Sequence, residues 1–74
     1  MVMMEDDICI KLGNVIKKAR IEAGLSIKQL SQQAEVNEKT LYKVESGKAN
    51  PLLGTLLKIA NSLNLSVSEL VGNL

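Results

Sequence analysis

The sequence predicts an all-α fold of five short helices, and three observations carry that reading. Apolar residues recur three and four positions apart and nowhere alternate over a strand-length stretch, which is the period of a helix face. Polar caps stand at Ser26, Asn37 and Ser66, each between an apolar residue and another in the following turn. Such a cap accepts an orphan backbone N–H while the apolar pair staples the chain entry. Gly24, Gly47 and Asn64 follow apolar runs, and these residue types accept the left-handed turn that ends a helix.

The first helix is expected from Ile8 or Leu12 to Ala23, with Leu12, Val15, Ile16 and Ala19 as its stripe and Gly24-Leu25 as its stop. Residues 1–7 are acidic and read either as a tail or as an extension of that helix, where carboxylates suit the positive end of the dipole. The second helix opens on the capping box Ser26-x-x-Gln29, turns Ile27, Leu30 and Ala34 inward and ends near Ala34. Asn37 caps a third helix over residues 38–46, with Leu41 and Val44 inward and Gly47 as its end.

After Asn50-Pro51, a fourth helix carries Leu53, Leu56, Leu57, Ala60 and Leu63 and stops at Asn64. Ser66-x-x-Glu69, stapled by Leu65 and Leu70, opens a short fifth. No linker divides the chain, so residues 8–74 form one domain.

Composition narrows the function. A chain of 74 residues leaves no room for a regulatory or catalytic domain beside this one. Its 46% apolar residues include a single aromatic, Tyr42, so the core is aliphatic and dimerisation would add stability. One cysteine, Cys9, permits no internal disulfide or multi-cysteine zinc site, and is read as a small buried hydrophobe. Without histidine, a glycine-rich phosphate loop or paired carboxylates, no catalytic constellation can be assembled. The expectation is a protein that is not an enzyme, with no cofactor, metal or small-molecule ligand. The acidic start and the lack of a long apolar run point to a cytoplasmic, nucleoid-associated location without membrane contact.

The turn between helices 2 and 3 speaks to function. Helix 2 ends near Ala34 and Asn37 caps helix 3, so about three residues separate the helices, which forces a steep crossing and holds helix 3 proud of the surface, able to enter a DNA major groove. A formal net charge of +1 is low for a DNA-binding partner, but all nine basic residues follow Asp7 while only five of the eight acids do, so residues 8–74 carry +4. The lysines either solubilise helix surfaces or meet phosphate. With Leu41 and Val44 inward, positions 38, 39, 42, 43 and 46 face outward, and Lys39 and Lys43 lie one turn apart. Asn37, Thr40, Tyr42, Lys48 and Asn50, with Ser46 and Lys28 behind them, frame the helix as phosphate contacts.

With these residues in place, the chain resembles the phage repressor and Cro-type helix-turn-helix family, the XRE family, from Leu12 to Val71. The resemblance lies in Leu12-Gly13 through Arg20, Glu22-Ala23-Gly24-Leu25-Ser26, Leu30, Thr40-Leu41, Val44-Glu45, Gly47-Lys48, Asn50-Pro51, Thr55 to Ala60, and Leu63. It implies a compact five-helix, lambda-repressor-like domain whose helix-turn-helix unit spans about 27–46, with helix 3 in the major groove.

Glu38, Lys39 and Lys43 are then the base readers, lysine favouring guanine and glutamate accepting from cytosine, on a G·C-containing half-site. For Glu38 and Lys39 a plain exposed first turn is the competing reading, and for Tyr42 a half-exposed packing role. The resemblance also implies a partly buried ion pair between Arg20 and Glu45 that orients helix 3.

The chain departs from the family pattern at Ile27, usually a phosphate-contacting glutamine; at Ser31, usually alanine; at Glu35, usually glycine; and at Leu52, usually a serine or threonine cap. The implied function is a transcriptional regulator, a repressor acting as a homodimer on an inverted-repeat operator in double-stranded DNA. Part of the set Leu65, Val67, Leu70, Val71 and Leu74, with Met1 to Met4, is expected to form the dimer surface; the competing reading is that all of them cap the monomer's core. The alternative is a protein-interaction module on the same fold, such as an antitoxin or anti-repressor component.

Overall fold

A computed structural model describes residues 5–72 as five helices: α1 Glu5–Glu22, α2 Ile27–Ala34, α3 Glu38–Glu45, α4 Leu53–Ser62 and α5 Val67–Val71. No strand occurs among the described residues. The acids extend the first helix, which begins at Glu5 rather than at Ile8 or Leu12. Residues 1–4 and 73–74, Leu74 among them, lie outside the described part.

The expected stops and caps are in place. Gly24, Gly47 and Asn64 have φ of 75°, 76° and 58°. Ser26 and Ser66 each form a complete capping box, with Gln29 and Glu69 respectively. α4 is the exception, because its N-cap is Leu52, which supplies no side-chain hydrogen bond.

The core is aliphatic. Ile16 of α1, Leu30 of α2, Leu41 and Val44 of α3, Ile59 of α4 and Leu70 of α5 are fully buried. Leu25, Val36 and Leu65 pack against this cluster from the edges, as stapling residues should, and Ile27 joins them from the first position of α2. Cys9 is buried as a free thiol. No helix of the described part is long and apolar enough to cross a membrane.

Two expectations change. Leu70, expected on a dimer surface, has no exposure and belongs to the monomer's core, while Leu65, Val67 and Val71 are half-buried against that core. The fifth helix is one short turn, and burying its apolar side is what fastens it to α1 and α4. In α4 the inward row is Leu56, Ile59, Ala60 and Leu63, whereas Leu53 and Leu57 stand 66% and 45% exposed. The sequence offered two overlapping stripes, and packing against α2 and α5 selects the later one.

α1 lies close against the end of α3 because Gly13 has no side chain. A Cβ there would collide with the carbonyl oxygen of Val44 and stand 2.6 Å from that of Glu45. Gly47 repeats the device one turn later, since a Cβ on it would sit 2.9 Å from the Ile10 Cα. The axis of α3 is thus set by backbone-to-backbone approach, which tolerates little adjustment.

Candidate nucleic-acid interface

α2 and α3 are joined by Glu35, Val36 and Asn37. Glu35 takes φ 55° and ψ 43°, and its N–H donates back to the carbonyls of Gln32 and Ser31. This left-handed conformation costs a residue with a Cβ roughly 1–2 kcal/mol, so Val36 and Asn37 have to hold the turn. Val36 N–H donates to Ser31 O at 2.9 Å, and the Val36 side chain packs on the core. Asn37 Oδ1 accepts from Lys39 N–H at 2.8 Å and Thr40 N–H at 3.3 Å, which satisfies two of the donors that open a helix.

Leu41 and Val44 fix the buried side of α3, leaving Glu38, Lys39, Thr40, Tyr42, Lys43 and Ser46 exposed. Lys28 at the start of α2 is exposed too, as are Lys48 and Asn50 after α3. Ser46 uses its hydroxyl to donate to the Lys43 carbonyl at 3.1 Å. Tyr42 retains 55% of its surface.

The far end of α3 is anchored by Arg20. Its Nε donates to Glu45 Oε2 at 2.7 Å and its Nη2 to Oε1 at 3.1 Å, the parallel pair that suits a guanidinium fork. Its Nη1 donates to Leu25 O at 2.7 Å, beyond the end of α1. The side chains are only 11% and 4% exposed. The ion pair that the resemblance implied is therefore present, bidentate and largely buried, and it ties α1, the α1–α2 turn and α3 together.

Ile27 plays a part that its inward reading did not include. It packs partly on the core, yet with Tyr42, Asn37, Glu38 and Lys39 it also lines an open cleft of about 500 Å³ between the starts of α2 and α3. A smaller hollow of about 270 Å³ lies on the other side of Ile27 and Tyr42, edged by Lys17, Arg20, Glu45 and Ser46. Sequence reasoning places Gly13 only within the family pattern. An isolated glycine inside a helical run was the available signal for Gly13.

A tight helix pair, a capped and exposed second helix bearing two lysines, and a buried clamp at its base define a helix-turn-helix domain. Residues 16–70 match the helix-turn-helix family HTH_3, and the chain belongs to that family.

The control protein C.MunI of a Mycoplasma species is 34% identical over 70 residues, spanning 93% of this chain and 95% of that protein. The immunity repressor of Bacillus phage phi105 is 36% identical over 61 residues, 82% of this chain and 42% of the repressor. The chain spans 17% and 18% of two archaeal proteins named for HTH-type transcriptional regulation. Thus it spans less than half the length of each of these last three relatives.

Among solved structures, the restriction-modification controller protein C.AhdI of Aeromonas hydrophila superposes with a TM-score of 0.82 at 29% identity, covering 84% of this chain and 94% of that one. A SinR/SinI protein complex contains a chain that matches at a TM-score of 0.79 and 33% identity, over 81% of this chain and 59% of that one.

Proposed function

We propose that this protein binds an inverted-repeat operator in double-stranded DNA as a homodimer, in the cytoplasm at the nucleoid, and represses transcription there. The observation that carries the reading is that Lys39 and Lys43 stand exposed one turn apart on a helix whose opposite face and far end are locked. Lys39, Lys43 and Glu38 read base edges, with guanine as the partner of the lysines and cytosine that of the glutamate. Asn37, Thr40, Tyr42, Ser46, Lys48, Asn50 and Lys28 meet phosphate and set the register.

One helix of this length reads only a few base pairs, so specificity calls for two copies about one DNA turn apart. With Leu70 in the core, the dimer surface is drawn from the partly exposed Leu65, Val67 and Val71 together with Leu52, Leu53 and Leu57. The near full-length match to a control protein supports a regulator of that kind.

The exposed row Leu52, Leu53 and Leu57 also favours a second reading, a protein-interaction module on the same fold. Selection from a random duplex library, followed by anisotropy titration of the enriched sequence at two salt concentrations, separates the two. An enriched inverted repeat whose affinity falls steeply with salt is expected of the repressor. No enrichment, or salt-insensitive binding, would favour the protein partner.

A further inference from the structure

We propose that the cleft between the starts of α2 and α3 is a socket for the C5-methyl group of a pyrimidine, which makes Ile27 and Tyr42 specificity-determining residues. This deepens the reading of α3 as the groove helix and rests on it. The cleft opens between the exposed Asn37, Glu38 and Lys39, while Ile27 and Tyr42 are the apolar residues of its lining. The sole apolar group on the major-groove edge of unmodified DNA is the thymine methyl, and 5-methylcytosine carries the same group at the same atom.

The lining chooses among occupants. A phosphate seated in the cleft would meet the Glu38 carboxylate as well as the Lys39 ammonium, whereas a base edge offers that carboxylate an amino donor and offers Ile27 a methyl, leaving Asn37 and the Tyr42 hydroxyl to meet phosphate at the rim. Ile27 is suited to be a wall, because its β-branched side chain is stiff and partly seated on the core, so its exposed portion is held in place. Tyr42 closes the other side with its ring and keeps its hydroxyl for water or the sugar-phosphate edge. The cleft, at about 500 Å³, takes the edge of a base as well as its methyl.

The test uses the full chain and the operator enriched from the library. Each thymine is replaced singly by deoxyuridine, which removes the methyl alone, and each cytosine singly by 5-methylcytosine. Wild type, Ile27→Ala and Tyr42→Ala are titrated on every duplex, with circular dichroism confirming the helices.

At one position per half-site, uracil is expected to weaken wild-type binding about fourfold, the worth of one buried methyl-sized group. That difference disappears in both variants. A gain of similar size from methylating one cytosine, again absent in both variants, would instead identify 5-methylcytosine as the occupant. If Ile27→Ala does not fold, Tyr42→Ala carries the comparison, since its side chain is mostly exposed. Indifference to every methyl, or equal sensitivity in wild type and variants, overturns the socket while leaving DNA binding intact. A library yielding no operator overturns the groove reading itself.

Discussion

At its C-terminal end α3 is clamped: Arg20 grips Glu45 through two bonds, and Gly13 and Gly47 let the backbone of α1 lie against the last turn. At its N-terminal end α3 is capped by Asn37, and Glu38, Lys39 and Lys43 stand in solvent along its outer face. The two ends hold different kinds of information. The clamped end admits almost no substitution because its spacing is set by backbone atoms. The exposed face can change residue by residue with little effect on the fold, so on the proposed reading the choice of operator belongs there.

The strongest challenge to this contrast is Glu45→Ala. Leaving the Arg20 charge buried without its partner should destabilise the protein by about 3–5 kcal/mol in urea unfolding. A loss under about 1 kcal/mol would mean that the pair behaves as an exposed one. Gly13→Ala comes next, with an expected loss of about 1–3 kcal/mol from overpacking against the Val44 and Glu45 carbonyls. Alanine is the better helix former, so a variant that melts higher than wild type would show that α1 has room there.

The exposed face, which carries Lys39 in the first turn and Lys43 in the last, should respond the other way. Lys39→Ala and Lys43→Ala are expected to leave unfolding within about 0.5 kcal/mol of wild type, yet to relax discrimination at a G·C pair by about 1–3 kcal/mol in operator titrations. If either variant loses stability and keeps its selectivity, the division between the two ends fails. Glu35→Gly gives the smallest effect. Removing the strain of φ 55° should raise stability by under about 1 kcal/mol in thermal unfolding, the gain being reduced by glycine's larger freedom when unfolded.

The architecture was largely legible because each helix announces itself locally. Ser26, Asn37 and Ser66 cap where their side chains and the following residues say they should, and Glu35 takes the left-handed turn despite being a poor residue for it. Legibility failed where phase depends on a distant neighbour. Leu53 and Leu57 share a row with Ala60 as plausibly as Leu56 does with Ile59 and Leu63, and only packing decides which row faces in. A helix as short as α5 has no measurable phase, so Leu70 could be assigned to either side. In the candidate site, the outward positions of α3 followed from Leu41 and Val44, whereas the Arg20–Glu45 pair came from family resemblance. No local rule links a residue of α1 to one at the end of α3. The Ile27 cleft was invisible because it exists only where two helix starts meet.

Arg20 is the chain's only arginine, and all three of its guanidinium nitrogens are engaged within the fold. Every cationic contact with DNA therefore falls to lysine, a flexible point charge that lacks the rigid fork which enforces a single docking geometry. A reading surface of that kind is forgiving: it slides between neighbouring acceptors where an arginine would reject them. On the proposed reading, the expected consequence is tolerance of degenerate sites, with related operators occupied to graded extents.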